Sequence, residues 1–190
     1  MAIDISIRIG GQAGQGMQSI SQILGKIFTR QGLYVFMHQD VESRVRGGHS
    51  YVQLRIKDEP CQTLCDKIDL LIALSEGSIE SDQTDLTADG LMIFDDEATG
   101  FTSENPSHLS IPMGKLALEA GKNKIMANTV ATGAVLALLG CDLQPLLDRL
   151  EEEFSAKGPE IIEKNGNCAS SGYRFVQSHY KGSFSKELPQ

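Results

Sequence analysis

Four glycines, Gly10, Gly11, Gly14 and Gly16, fall within seven positions of the stretch IRIGGQAGQGMQS (residues 7–19). The run before them is short and apolar; the run after them has helical spacing. A helix that starts on such a turn offers unpaired backbone N–H groups and a partial positive charge, so the residue types suit an anion, above all a phosphate. Three chemistries compete for it. As a P-loop the spacing of Gly11 and Gly16 fits, but Met17 and Gln18 stand where Lys and Ser/Thr would reach the terminal phosphates and magnesium, which disfavours nucleotide hydrolysis. As a dinucleotide fingerprint, Gly11, Ala13 and Gly16 fall in frame with alanine in the middle, and Asp40 or Glu42 would have to supply the ribose-binding acid. In the third reading the glycines only turn the chain tightly and let a helix pack on a sheet.

A second stretch, ESRVRGGHSYVQLRI, carries Ser43, Arg44, Arg46, Gly47, Gly48 and His49. Residues 38–57 hold four cations (Arg44, Arg46, Arg55, Lys57) against two anions (Asp40, Glu42), a local +2 in a chain of formal charge −8. Guanidinium groups make forked, charge-assisted hydrogen bonds to phosphate or carboxylate. The plainer alternative pairs Arg44 and Arg46 with Asp40 and Glu42. His49, like His38, His108 and His179, has no Cys, Ser or Asp placed beside it by spacing, so no catalytic set assembles. Cys61, Cys65, Cys141 and Cys168 lack the tight spacing of zinc or iron–sulfur ligands and read as free thiols of a reducing compartment.

These residues need a scaffold. The chain has 190 residues, 41% of them hydrophobic and 22% charged, enough for one globular domain. No apolar run is long enough to span a bilayer, and the first ten residues do not form a signal peptide, so the cytoplasm is the expected location. The acidic balance disfavours nucleic acid as a partner. Alternation over residues 3–9 puts Ile3, Ile5, Ile7 and Ile9 on one face of a strand. Ile20, Ile23, Leu24, Ile27 and Phe28 then recur at helical spacing, with Gly32 as a stop, and residues 33–38 form a second strand expected to pair in parallel with the first. Further strands are expected at 50–56, 68–75, 90–96 and 107–112, with 61–65 as a hairpin strand. From Met113 the chain turns helical, with Asp142 as an N-cap and Pro159 in a first turn. In an open α/β sheet both unusual loops would lie at the C-terminal strand ends, where ligands bind.

The two stretches in succession, followed by DLLIAL, GLMIFDD, IPMGKLALEAGKNKIMANTVATGAVLALLG and EKNGNCASSGY, closely resemble the gamma module of the 2-oxoacid:ferredoxin (acceptor) oxidoreductases. The resemblance covers residues 3 to about 175. It implies an α/β, three-layer Rossmann-like fold, the sheet mostly parallel and able to include an antiparallel hairpin. It implies a gamma domain over residues 1–177 and a tail or linker over 178–190. The whole enzyme would oxidatively decarboxylate a 2-oxoacid to an acyl-coenzyme A. Thiamine diphosphate, magnesium and iron–sulfur clusters would sit on the alpha and beta subunits or domains, and ferredoxin would dock through the complex. This module would contribute part of a coenzyme A site, carried over to Gly14, Gln15 and Gly16 and to Ser43, Arg44, Arg46, Gly47 and Gly48, with no catalytic residue and no metal of its own. Ala13 departs from the family, where many members have glycine. The SRVRGGHS form resembles members with the gamma module fused ahead of the alpha module, favouring 2-oxoglutarate over pyruvate or branched-chain substrates. The competing functions are a stand-alone NAD- or FAD-binding oxidoreductase and a purely structural assembly module.

Overall fold

The computed structural model describes residues 2–41, 49–182, 184–186 and 188. It divides into two compact units, residues 1–110 and 111–190.

The first unit is an α/β sheet. Its elements run β1 (Asp4–Gly11), α1 (Met17–Arg30), β2 (Tyr34–Val41), β3 (Ser50–Lys57), β4 (Ile68–Ala73), α2 (Glu76–Asp82), β5 (Leu86–Phe94), α3 (Asp96–Thr99) and β6 (His108–Ser110). The strand order is β2-β3-β1-β4-β5-β6. The pairs β1/β4, β4/β5 and β5/β6 are parallel, and β3 runs antiparallel to both β1 and β2. The mostly parallel α/β sheet expected from the sequence is therefore present. One detail differs: β1 and β2 share a direction but do not pair, because β3 folds back from β2 and fills the slot between them. Residues 61–65 form no strand either. Arg55 fixes that segment by donating to the carbonyl and hydroxyl of Thr63 (both 3.3 Å), and Gln53 donates to the carbonyl of Cys65 (2.8 Å).

Register assigns the two faces of the sheet. Ile5, Ile7 and Ile9 lie level with Ile56, Leu54 and Val52 of β3, all six buried, and each fully buried aliphatic side chain contributes about 1.5–3 kcal/mol. Helix α1 covers this face, with Gly25 against Val35 and Met37. Its last turn closes through Leu33 N–H to Phe28 O (3.0 Å) and Gly32 N–H to Thr29 O (3.1 Å), the pattern expected of a glycine stop. The opposite face carries Ser6, Arg8 and Gly10 and is covered by α2, where Ile79 packs with Leu71, Ala73, Met92 and Phe94. Both faces of β1 are buried. Strand β4 is buried along its whole length, as its continuous apolar run required.

The second unit is helical: α4 (Met113–Gly121), α5 (Ala127–Leu138), α6 (Gln144–Phe154) and α7 (Pro159–His179). Small residues let α5 and α7 pack closely; a Cβ at Gly172 would overlap the Val130 carbonyl oxygen. Buried Thr129 donates to Asn165 Oδ1 across that contact (3.0 Å). Pro159 opens α7 as expected. Asp142 does not cap α6: the helix starts one residue later than an Asp142 cap would allow, with Leu143 at the cap position and no side-chain bond there.

Candidate functional site

The turn between β1 and α1 is shaped by two glycines with left-handed backbone, Gly14 (φ 95°) and Gly16 (φ 90°). Gly16 holds the N-cap position of α1, where it offers no side-chain acceptor, and the helix ladder begins with Ile20 N–H to Gly16 O (3.1 Å). The amides of Met17, Gln18 and Ser19 precede that ladder, so they are the donors an anion would meet. No acidic residue stands in the first turn of α1.

A cleft of about 420 Å³ opens in front of this turn. Ala13, Gly14 and Gly16 form one side and the first turn of α1, from Met17 to Ser19, forms its base. Gln39 and Val41 at the end of β2 and Ser50 at the start of β3 form the other side. Sheet register explains the convergence, since Val41, Ser50 and Gly11 lie level across β2, β3 and β1. Gln18 donates to Gln39 Oε1 (2.9 Å), tying α1 to β2 across the cleft.

Of the residues expected at the site, Gly14 and Gly16 line the cleft. Gln15 does not. Its side chain accepts from Gln12 N–H (2.6 Å) and donates to the Leu74 carbonyl (3.0 Å), so it braces the turn from behind. Ser43, Arg44, Arg46, Gly47 and Gly48 lie outside the described residues, as does Glu42. In the chain they fall between Val41 and His49; Val41 and Ser50 line the cleft, and His49 does not. Asp40, one candidate for a ribose-binding acid, alternates with Gln39 and Val41 and so takes the face away from the cleft. That position counts against the dinucleotide reading.

A buried polar cluster on the far face escaped the sequence reading. Arg8 donates to Gln53 Oε1 through Nε (3.1 Å) and Nη2 (2.9 Å), and through Nη1 to Asp82 (2.9 Å) and Asp85 (2.6 Å). Its guanidinium lies 4.6 Å from the centre of the Tyr51 ring. Burial works against the Arg8 charge, but the hydrogen bonds and charges of Asp85 and Asp82 outweigh it and raise its pKa. The second oxygen of Asp82 lies 2.8 Å from His49 Nε2. A cationic residue amid the isoleucines of β1 was the one available signal. Among the described residues no group of three or more His, Cys, Asp or Glu could hold a metal ion, and the four cysteines are free. No helix among them is long and apolar enough to cross a membrane.

The family model described as pyruvate ferredoxin/flavodoxin oxidoreductase matches residues 6–175. The chain belongs to this family. The family member PorC, a pyruvate synthase subunit of Methanothermobacter marburgensis, is 31% identical over 176 residues, covering 89% of this chain and 96% of PorC. The ketoisovalerate oxidoreductase subunit VorA of the same organism is 25% identical over 185 residues; the match covers 95% of this chain but 38% of VorA. A solved structure of 2-oxoglutarate:ferredoxin oxidoreductase from Magnetococcus marinus, with 2-oxoglutarate, coenzyme A and succinyl-CoA bound, shares the fold (TM-score 0.88, 22% identity). That match covers 99% of this chain and 34% of the solved one. The chain thus spans well under half the length of VorA and of that solved chain, and nearly all of PorC.

Proposed function

We propose that this chain is the gamma component of a 2-oxoacid:ferredoxin oxidoreductase, and that its cleft receives a phosphate group of coenzyme A. The observation that carries the reading is the uncapped, acid-free start of α1, turned by Gly16 into a cleft whose opposite wall anchors the basic segment. In this reading the N–H groups of residues 17–19 donate to phosphate oxygens, and Arg44 and Arg46, with Ser43, Gly47 and Gly48, contribute to binding the same anion. Coenzyme A would take up the acyl group on partner subunits, which hold thiamine diphosphate, magnesium and the iron–sulfur clusters. The chain's own residues bind and orient; none is assigned a catalytic role. Relatives are named for pyruvate and ketoisovalerate and the structural neighbour for 2-oxoglutarate; we favour 2-oxoglutarate from the form of the basic segment. Four unpaired thiols suit a reducing compartment such as the cytoplasm.

The test is a coenzyme A titration of the assembled complex. Arg44→Ala and Arg46→Ala should each raise the apparent KM for coenzyme A about tenfold or more, since a charge-assisted hydrogen bond contributes about 1.5–3 kcal/mol. The kcat at saturating coenzyme A should hold. Wild-type KM in both variants would refute the site and leave the chain an assembly module.

A further inference from the structure

The sheet gives β3 two different tasks at its first residues. Ser50 lies level with Gly11 and faces the cleft; His49 and Tyr51 point to the opposite face, where Arg8 and Gly10 lie. On that hidden face His49 meets Asp82, which is 2% exposed and comes from α2. Asp82 uses one oxygen on Arg8 and the other on His49. The fit is tight: a Cβ on Gly10 would stand 2.5 Å from Asp82 Oδ2 and 3.1 Å from His49 Cε1. Glycine at position 10 therefore serves this contact, not the anion. His49 also directly follows Gly48 in the chain, so it is the residue on which the basic stretch ends.

We propose that Asp82, acting through His49, is a positioning residue for the anion cleft: it pins the start of β3 from behind, so that Ser50 and the downstream anchor of residues 42–48 stay in place. Around this contact stand Asp82 of α2, Arg8 of β1, Tyr51 of β3 (ring centre 5.9 Å from that of His49) and, beyond Arg8, Asp85. The 2.8 Å approach of His49 Nε2 to Asp82 Oδ2 is the clasp. The proposal rests on the coenzyme A reading for its functional readout, but the clasp also has a structural one.

The experiment measures coenzyme A affinity of the assembled complex with the wild type, His49→Ala, His49→Gln and Asp82→Asn. Hydrogen exchange at the amides of residues 50–52 is followed in parallel. His49→Ala should bind coenzyme A about tenfold more weakly, a size typical of residues that act on a ligand without touching it, with kcat at saturation unchanged and faster exchange at 50–52. His49→Gln, which keeps a neutral donor toward Asp82, should recover most of that loss. Asp82→Asn should lower affinity in the same direction; if it fails to assemble, the two His49 variants carry the test. Wild-type affinity in His49→Ala, or a loss in His49→Gln as large as that in His49→Ala, overturns the proposal. If the wild type itself binds no coenzyme A, the functional reading fails separately, and unchanged exchange at 50–52 in His49→Ala then overturns the clasp.

Discussion

Replacing Arg8 by methionine keeps most of the side chain's volume and removes its charge. The structure fixes what is left behind. Asp82, with a side chain 3% exposed, loses its 2.9 Å partner and retains only His49. Asp85 loses a 2.6 Å contact, but its side chain is 40% exposed and water takes over, so that arm contributes no more than about 1 kcal/mol. Gln53 loses two donors yet keeps its own bonds to Ser6 Oγ (2.9 Å) and Cys65 O (2.8 Å). The cost is therefore concentrated in the stranded Asp82 carboxylate, and breaking a buried pair from one side costs about 3–5 kcal/mol. The assay is native-state hydrogen exchange at the amides of Leu54 and Leu71, buried residues on β3 and β4, which report opening of the first unit directly. Arg8→Met should lower their opening free energy by about 3–4 kcal/mol, chiefly through Asp82. Adding Asp82→Asn should return part of that loss, because the second change removes the unpaired charge. A loss below about 1 kcal/mol, or a double variant whose loss equals the sum of the two singles, would refute the claim that a buried charge pair holds this face.

In the helical unit, Gly172→Ala should destabilise by about 1–3 kcal/mol in urea unfolding, because the new methyl overlaps the Val130 carbonyl of α5; Gly166→Ala, with room beside Leu147, serves as the control. Burial pushes the thiols of Cys141 and Cys168 up to about 11 from an ordinary value near 9, so at pH 8 iodoacetamide should label Cys61 and Cys65 first and reach the buried pair only on unfolding. The same shift has a stability consequence. Below about pH 9 both states keep these protons; between about 9 and 11 the unfolded chain loses them first, so stability should fall as pH rises through that window, measured against a Cys141→Ala/Cys168→Ala variant in which this part of the fall disappears.

Much of the scaffold was legible because its signals are local. Isoleucine alternation marked β1, an unbroken apolar run marked β4, and apolar spacing closed by Gly32 marked α1. The slot occupied by β3 was not, since strand order is decided by which edges meet in space, and a strand–helix–strand pattern accommodates an inserted neighbour equally well. The glycine turn announced itself through composition. The opposite wall did not: Gln39, Val41 and Ser50 are ordinary strand residues that reach the cleft only through register. The Gln15 side chain stays off the cleft for a related reason, because its amide satisfies the backbone of its own turn and of Leu74, 59 residues on. Arg8 and Asp82, 74 residues apart, carry no joint signal in the sequence.

The cleft and the buried charges are two faces of one pairing. Register sets Gly11 beside Ser50 and Gly10 beside Tyr51, so successive residues serve the ligand side and the clasp side in turn. A slip of one residue in β3 would turn Ser50 inward toward α2 and His49 out into the cleft, exchanging both functions at once. The Arg8–Gln53 contact opposes that slip, because a slipped Gln53 would leave the face on which Arg8, Asp82 and Asp85 wait for a partner. Isoleucine, leucine and valine alone define this strand pair weakly, since both faces of β1 are buried and either could receive an apolar row. A buried cation that needs specific acceptors admits one register. In this family member the charge cluster thus fixes the alignment on which the cleft depends, so under the proposed coenzyme A reading Arg8→Met should weaken ligand binding as well as the sheet.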